Sequence, residues 1–210
     1  MRELRTAAIA AVVLTVVLGL VYPLAMTGVA QVAFPNKSDG SVVERDGEPV
    51  GSRLIGQDFA KHPEYFQSRP SVTEYNPAGT FFNNLGPNQQ DLADQLKGYV
   101  DDYLKRERPY TPGLTADRIP PDAVTTSASG VDPQISEENA RIQANRVARE
   151  RGLPLARVLD LVDAHSSRPL LGIAGDKSVN VLELNLALDR LGGPDAQRPS
   201  QIAGLDAPRR

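Results

Sequence analysis

The stretch TAAIAAVVLTVVLGLVYPLAMTGVAQVAF, Thr6 to Phe34, decides how this chain is organised, because no charged residue interrupts it. At a rise of about 1.5 Å per residue, it is longer than the roughly 20 residues that a helix needs to cross a bilayer. A cleaved signal peptide is the alternative, since Gly28-Val29-Ala30 resembles a small-x-small cleavage site. The run is, however, about twice as long as the apolar core of signal peptides, roughly 7–15 residues. The pattern therefore predicts a retained transmembrane helix.

The positive charges around this span predict its orientation. Arg2 and Arg5 precede the span, whereas only Lys37 follows it closely, and the cytoplasmic flank of a membrane helix carries the excess of positive charge. We therefore expect the N-terminus in the cytoplasm and the rest of the chain outside. The predicted segments are a cytoplasmic N-terminus at 1–6, a transmembrane helix at 7–34, an extracytoplasmic domain at 35–191 and a disordered tail at 192–210.

Several side chains inside the span are of the kinds found where membrane helices pack together. Pro23 removes one backbone hydrogen bond, which a packed neighbour or a kink can accommodate. Thr15, Gly19 and Thr27 add small or hydroxyl side chains, which are enriched at helix contacts within membrane lipid. We predict that the span packs against a partner helix around Tyr22 and Pro23.

Composition excludes several kinds of function. The 210-residue chain has a net charge of −3, so nothing argues for nucleic acid as a partner. It has no cysteine and only two histidines, so it can build neither a Cys/His metal site nor a disulfide. A carboxylate site for a hard cation stays open on these grounds, but we predict no metal and no cofactor held by the chain itself.

The external part is expected to fold as one α+β domain, with a hairpin first and helices in its C-terminal half. Asp46-Gly47 separates two apolar-polar runs and suits a tight turn, which predicts strands near Ser41–Arg45 and Glu48–Ile55. Pro49 would keep the second strand at a sheet edge. Residues 57–86 lack a period but contain many aromatic residues, which we interpret as anchors of a small core. A partner-binding surface is the alternative for that region.

Apolar residues at three- and four-residue steps predict four helices in the rest of the domain. Their predicted bounds are Asn88 (N-cap, after Gly86-Pro87) to Glu107, Ser136 (N-cap) to Gly152, Pro154 onward, and Asn180 (N-cap) to Gly192. Strict apolar alternation between Val179 and Leu188 leaves a strand as the alternative for the last helix. The amide-rich stretch NNLGPNQQDLADQ, Asn83 to Gln95, is interpreted as the entry to the first helix, with a grip on a ligand as the alternative.

No constellation for catalysis stands out. His62 and His165 are the only imidazole bases, and neither lies in a recognisable nucleophile motif. Asp101 and Asp102 are adjacent on a predicted helix, so their side chains point apart and do not form an acid/base pair. The segment LGIAGDKS, Leu171 to Ser178, lacks the spacing of a phosphate-binding loop. The residues argue for a membrane-tethered accessory domain without catalytic residues.

Seven motifs follow one another along nearly the whole chain. They are VYPL (Val21–Leu24), GSRLIGQ.F (Gly51–Phe59), YFQSRPS (Tyr65–Ser71), NLGP (Asn84–Pro87), TTSASGVDPQIS (Thr125–Ser136), A.IQ..RVA..RGL (Ala140–Leu153) and VNVLELNLALD (Val179–Asp189). In this order they resemble the C subunit family of the bacterial Kdp-type potassium-transporting P-type ATPase. Ala128, Val131 and Gln134 are small departures, since glycine, leucine and a histidine or acidic residue are common there in the family.

The resemblance implies a complex with a channel-like potassium-binding subunit, a P-type ATP-hydrolysing subunit, a small membrane peptide and this single-pass chain in a bacterial cell membrane. ATP and potassium would be bound by the complex. The family's C subunit is described as a non-catalytic chaperone for assembly that raises the ATP affinity of the ATP-hydrolysing subunit. The resemblance implies Gln143 as the nucleotide-affinity residue. The candidates for partner contacts are Phe66, Arg69, Asn84, Asn139 and Arg146.

Two of these expectations conflict. An external domain places Gln143 on the far side of the membrane from cytoplasmic ATP, so a direct nucleotide contact and this topology cannot both hold. We favour the topology, because it follows from span length and charge bias, and expect an indirect effect on ATP affinity. The span would then pack on the channel-like subunit, and the domain would cover the potassium entrance. A stand-alone membrane-anchored binding protein, or a secreted enzyme cleaved near Ala30, are the alternative functions.

Overall fold

The computed structural model describes residues 1–79, 81, 84–167 and 175–192. Two compact units are present, Met1–Val43 and a second unit that begins at Glu44, and each is considered by itself. The predicted disordered tail lies outside the described residues from position 193 onward. Phe82, Asn83 and the first half of the Leu171–Ser178 segment, residues 171–174, also lie outside them.

The first unit is an almost continuous helix. Its elements are α1 (Arg2–Val16), a π-helical turn (Val17–Val21), α2 (Tyr22–Ala33) and the short α3 (Pro35–Ser38). The combined helix Arg2–Ala33 has 32 residues and is long and apolar enough to cross a membrane, as predicted. Pro23 explains the π turn, since it has no N–H for the carbonyl one turn earlier. The N–H of Tyr22 instead bonds to the carbonyl of Val17, five residues back.

The predicted hairpin is present. Its strands are β1 (Val42–Arg45) and β2 (Glu48–Ser52), which pair as a two-stranded sheet. The turn residues Asp46 and Gly47 have φ angles of 54° and 84°, the left-handed region that this residue pair tolerates. The second strand ends earlier than the predicted Ile55, because the chain turns there and the N–H of Ile55 bonds to the carbonyl of Ser52 at 3.3 Å.

The helix predicted at 88–107 is confirmed as α4 (Gln90–Glu107). Its N-cap is Gln89 and not the predicted Asn88. The side chain of Gln89 turns back and accepts a hydrogen bond from the N–H of Gly86 at 2.9 Å. The described part of the amide-rich stretch therefore forms a helix entry, as interpreted from the sequence.

Three helices build the C-terminal half of the domain. They are α5 (Glu137–Glu150), α6 (Leu155–His165) and α7 (Val181–Arg190). Both predicted side-chain caps are confirmed: Oγ of Ser136 accepts from the N–H of Asn139 at 3.1 Å, and Oδ1 of Asn180 accepts from that of Glu183 at 3.0 Å.

A second two-stranded sheet lies beside these helices. Its strands are β3 (Gln134–Ser136) and β4 (Ser178–Asn180), paired antiparallel with Ile135 opposite Val179. The strand alternative for the last predicted helix therefore holds only for Val179 and Asn180, the last two residues of β4, and Asn180 is at the same time the helix cap. From Val181 to Arg190 the chain is helical, because the cap starts a helix whose leucines are buried.

The core lies where α6 meets both α5 and α7. The buried apolar side chains that these helices contribute are Ala140, Ala144, Val147, Ala148, Val158, Val162, Val181, Leu182, Leu184, Leu186, Ala187 and Leu188. The apolar residues of α5 and α7 thus face the interior, whereas Leu191, just after α7, is only half-buried.

The aromatic region before α4 divides into anchors and exposed rings. Phe59, Tyr65 and Phe66 are buried, which confirms the interpretation as core anchors for these three. Tyr75 is half-buried, and Phe81 is 60% exposed. The segment around Tyr65 is bonded by side chains of α5 and α7.

Candidate functional site

A segment without regular secondary structure, Pro63–Gln67, runs into the interior, and its backbone is bonded by side chains instead of by another strand. Asn185 of α7 bonds Phe66 twice: the N–H of Phe66 donates to Oδ1 at 2.9 Å, and Nδ2 donates to the carbonyl of Phe66 at 2.9 Å. Gln143 of α5 bonds Gln67 in the same way, at 2.7 Å and 3.2 Å. We call these four residues, Phe66, Gln67, Gln143 and Asn185, the amide clamp.

The amide clamp satisfies every backbone polar group of its two loop residues. Phe66 and Gln67 are 0% and 5% exposed, and Gln143 and Asn185 are 1% and 0% exposed. A buried N–H or C=O without a partner costs about 1–3 kcal/mol, so burial of an irregular segment requires partners of this kind. The two side-chain amides take the place of a neighbouring strand.

An arginine next to the clamp holds the start of the same segment. Arg146 donates to the carbonyl of Pro63 and, at 2.9 Å, to that of Tyr65. Its Nε donates to the carboxylate oxygens of Glu107 at 3.0 Å and 3.2 Å, and its Nη2 donates to Oε1 of Gln143 at 3.1 Å. Glu107 and Arg146 are both buried, so the pair is compensated by charge and by hydrogen bonds.

The spacing of α5 brings the required side chains to one face. Asn139, Gln143 and Arg146 follow one another at four- and three-residue steps, which places them side by side on a helix. Nε2 of Gln143 and the hydroxyl of Tyr103 both donate to Oδ1 of Asn139 at 2.9 Å. Burial, followed by the charge of Glu107, raises the pKa of the Tyr103 hydroxyl, which keeps this donor protonated.

A second charged cluster surrounds Asp189 at the end of α7. Its carboxylate accepts from Arg45 at 2.7 Å, from Arg151 at 2.8 Å and from the hydroxyl of Tyr65 at 3.0 Å. The guanidinium of Arg151 lies 4.5 Å from the centre of the Tyr65 ring. Burial, followed by the charge of Asp189, raises the pKa of Tyr65 to about 12. This cluster ties the hairpin and the buried segment to α7.

The structure brings some predicted site residues together and separates others. Those in the buried network are Phe66, Asn139, Gln143 and Arg146. Arg69 is half-buried and donates to Asp132 at 2.9 Å, whereas Asn84 is exposed and has a φ of 50°. Tyr22 and Pro23 belong to the helix of the first unit. The predicted roles of these residues in partner contact and nucleotide affinity stay predictions.

Gln143 has no hydrogen-bonding capacity left for a ligand. Its Oε1 accepts from Gln67 and Arg146, and its Nε2 donates to Gln67 and Asn139. A glutamine amide offers two acceptor sites and two donors, and all four are used within the domain. Gln143 therefore holds the Pro63–Gln67 segment in place.

Sequence reasoning missed three members of the network. Asn185 lies in the apolar run LELNLALD of α7, where a polar residue among buried leucines was a usable signal. Gln67 and Glu107 carried no such signal, because Gln67 lies in a loop and Glu107 closes a helix that ends in charged residues.

The described residues offer little for bond-making chemistry. Within residues 1–79, 81, 84–167 and 175–192, no group of three or more His, Asp or Glu side chains is placed to hold a metal ion. Nδ1 of His62 lies 3.3 Å from Glu64, and Nδ1 of His165 lies 2.9 Å from the carbonyl of Leu161. The described side chains hold the Pro63–Gln67 segment in place and pair charges with one another.

Comparison with known proteins identifies the family of this chain. A family model described as "K+-transporting ATPase, c chain" (KdpC) matches residues 4–190. The chain belongs to the KdpC family. The resemblance seen in the sequence motifs is thereby confirmed, and the matched range of this KdpC-family chain includes the apolar helix and every member of the amide clamp.

Curated relatives named "Potassium-transporting ATPase KdpC subunit" are similar along most of their length. The KdpC-family chain is 47% identical to the one from Bradyrhizobium diazoefficiens over 204 residues, which is 90% of this chain and 98% of the relative. It is 50% identical to the one from Caulobacter vibrioides over 190 residues, 89% of this chain and 92% of the relative. For Polaromonas naphthalenivorans the identity is 49% over 191 residues, 90% of this chain and 94% of the relative.

Proposed function

We propose that this chain is a non-catalytic accessory subunit of an ATP-driven potassium uptake complex. The family match and the names of the relatives, which it covers almost entirely, support a place in such a complex. Its partners would be a channel-like potassium-binding subunit, a P-type ATP-hydrolysing subunit and a small membrane peptide. ATP and potassium would be bound by the complex, and this chain would support assembly and raise the ATP affinity of the ATP-hydrolysing subunit.

The proposed orientation places the N-terminus in the cytoplasm of a bacterial cell and the second unit outside. Arg2 and Arg5 before the helix outnumber Lys37 after it, and this bias supports the orientation. In this topology, no residue after the span can touch cytoplasmic ATP.

The observation that carries an indirect role is the complete internal bonding of Gln143. A residue that is 1% exposed and fully hydrogen-bonded within its domain has nothing to offer a nucleotide. Gln143 would act by holding Pro63–Gln67 in the shape that the partner subunits recognise. A contact made on one side of a membrane changes ATP affinity on the other only if it distinguishes two states of the complex.

The contacts with partners divide between the two units. The span would pack on the channel-like subunit around Tyr22 and Pro23, which is supported by the π turn there. The external domain would cover the potassium entrance. Asn84 is the exposed member of the predicted contact residues, so it could meet a partner without any rearrangement of the domain.

The orientation is tested with single-cysteine variants, which need no background removal because the chain has no cysteine. Glu3→Cys lies before the span and Ser129→Cys lies in an exposed loop of the second unit. A membrane-impermeant maleimide added to spheroplasts should label only Ser129→Cys, and the pattern should invert in inside-out vesicles. The opposite pattern would overturn the external location and reopen direct nucleotide contact.

The function is tested in the assembled complex with Gln143→Ala and a neighbour on the same helix. Potassium-stimulated ATP hydrolysis should show a KM for ATP raised about five-fold or more, the lower end of ordinary coupling, with kcat little changed. Asn145→Ala is the matched control, because the Asn145 side chain, among the described residues, bonds only to the carbonyl of Ile142 on its own helix. Equal KM values for wild type and Gln143→Ala would contradict the indirect role.

A further inference from the structure

A small cleft lies between the loop of residues 58–75 and α4, and the proposed function does not use it. Its volume is about 170 Å³. The side chains that matter here are Tyr75, Tyr99, Tyr103, Asp58, Asp102 and Arg106. We call it the tyrosine cleft, because three of its lining residues are tyrosines, although Tyr103 itself is only 1% exposed.

The loop holds one of these rings in an unusual backbone conformation. Glu74 and Tyr75 have φ angles of 50° and 59°, and two successive non-glycine residues in this region are strained. The hydroxyl of Ser71 accepts from the N–H groups of Thr73 and Tyr75 at 3.2 Å and 3.0 Å, and the Tyr75 hydroxyl donates to the carbonyl of Arg69. Strain of this kind persists where the surroundings impose it, and it is found at binding sites. Here it fixes the Tyr75 ring in the wall of the cleft.

The charges that line the cleft are not paired with one another. Arg106 donates through Nε to Glu107 at 2.9 Å, and its guanidinium lies 5.2 Å from the centre of the Tyr103 ring. Its two Nη groups have no hydrogen-bond or ion-pair partner in the described part of the chain. Asp102 has none there either, and Asp58 accepts only from the N–H of Ala60.

Asp58 and Arg106 both lie close enough to the Tyr75 hydroxyl to affect its pKa. Burial, followed by the negative charge of Asp58, raises the pKa of Tyr75, while the positive charge of Arg106 opposes the rise. The cleft thus brings two carboxylates without an ion-pair partner among the described residues, one guanidinium edge and the accessible rings of Tyr75 and Tyr99 around one small space.

We propose that the tyrosine cleft binds a small zwitterion, with an alkylated ammonium group at one end and a carboxylate at the other. Aromatic faces attract a cation within about 6 Å of the ring centre, and Asp58 and Asp102 add to that attraction. The Nη edge of Arg106 matches a carboxylate with two parallel hydrogen bonds. A simple cation leaves the guanidinium unpaired, and a simple anion meets two carboxylates, so a zwitterion complements the site best.

The size of the cleft limits the ligand. A volume of 170 Å³ corresponds to a handful of water molecules at about 30 Å³ each. A ligand of fewer than roughly ten non-hydrogen atoms follows from this comparison. At ordinary binding energy per atom, its Kd should be about 1 mM.

Glycine betaine is the probe, titrated against the full chain in detergent micelles and followed by saturation-transfer NMR. Choline, which has the ammonium group without a carboxylate, should bind at least ten-fold more weakly. Binding is measured by NMR and not by a shift in melting temperature, because such solutes raise the melting temperature of most proteins by exclusion from their surfaces. Absence of saturable binding of glycine betaine, or equal binding of choline, would overturn the proposal.

A matched pair on α4 supplies the control. Asp102→Asn removes a carboxylate of the cleft and should weaken glycine betaine binding at least five-fold, whereas Asp101→Asn should not, because Asp101 lies outside the cleft and pairs with Lys97. Both aspartates are exposed, so both variants should fold, which circular dichroism checks. Tyr99→Leu should weaken binding as well. Equal losses for Asp101→Asn and Asp102→Asn would refute the site.

Discussion

Asn185→Ala tests whether the amide clamp is what allows an irregular segment to be buried. The substitution removes the donor and the acceptor that Phe66 uses, each at 2.9 Å. Phe66 is 0% exposed, so water cannot replace them. Two unpaired backbone groups at about 1–3 kcal/mol each, with the small cavity left by the amide, give an expected loss of about 3–5 kcal/mol in the free energy of unfolding. That is a large part of the ordinary stability of a domain, about 5–15 kcal/mol.

Denaturant unfolding of the full chain in detergent measures this loss. Far-UV circular dichroism is the signal, because the chain has no tryptophan. The midpoint should fall while the slope with denaturant stays the same. Asn145→Ala is the control: Asn145 is half-buried and donates to Ile142 on its own helix at 3.2 Å, so its loss should stay within about 0.5 kcal/mol.

A third variant separates the two hydrogen bonds. Asn185→Asp keeps the acceptor for the N–H of Phe66 but turns a carboxylate towards the carbonyl, where no donor remains. It should be about as unstable as the alanine variant at neutral pH, and it should recover as the pH falls and a proton restores the donor. The argument is refuted if the free energies of unfolding of Asn185→Ala and Asn145→Ala differ by less than about 1 kcal/mol. That margin corresponds to about a five-fold change in the unfolding constant.

Three further predictions use the same unfolding assay. Glu107→Gln should cost about 3–5 kcal/mol, because it leaves the buried charge of Arg146 without its counter-ion. The wild type should lose stability as the pH rises from about 10 towards 12, because Tyr65 ionises near 10 in the unfolded chain but at about 12 in the folded one. Tyr65→Phe should lack that part of the pH dependence. Gly130→Ala should cost about 2 kcal/mol or more, since φ is 71° and an added Cβ would lie 2.5 Å from Oγ1 of Thr73.

Each of these has a control within the chain. Glu150→Gln, at an exposed carboxylate, should change stability by no more than about 0.5 kcal/mol. Gly152 has a φ of 63° but open space around it. Gly152→Ala should therefore lower the free energy of unfolding by backbone strain alone, about 1 kcal/mol. Three results would contradict the corresponding arguments. They are a Glu107→Gln variant as stable as the wild type, parallel curves of stability against pH for wild type and Tyr65→Phe, and equal losses of stability for Gly130→Ala and Gly152→Ala.

Local signals in the sequence predicted most of the secondary structure. Ser136 and Asn180 cap the helices they were expected to cap, and Asp46-Gly47 makes the expected turn. Each of these depends on contacts within about four residues, which a sequence displays directly. The predicted N-cap of α4 was wrong by one position, since Gln89 occupies it without a side-chain bond to the helix.

The candidate site could be predicted only in part. The polar face of α5, with Asn139, Gln143 and Arg146, was visible from helical spacing, but such a face ordinarily indicates contact with solvent. Nothing local shows that Pro63–Gln67 covers it. The bond between Phe66 and Asn185 joins residues 119 positions apart, and a pairing at that distance leaves no trace in spacing or composition.

The amide clamp also sets the order in which this domain can form. A ribosome makes the chain from its N-terminus, so Phe66 is available long before the residue 119 positions later that bonds it. Contacts this distant form slowly, because closing so long a loop costs entropy before the contact contributes anything. Until the ten residues of α7 are complete, the aromatic segment stays open to proteases and to aggregation. A message that stops before Val181 should therefore yield no folded half-domain, and α7 is the helix that commits the domain to a single shape.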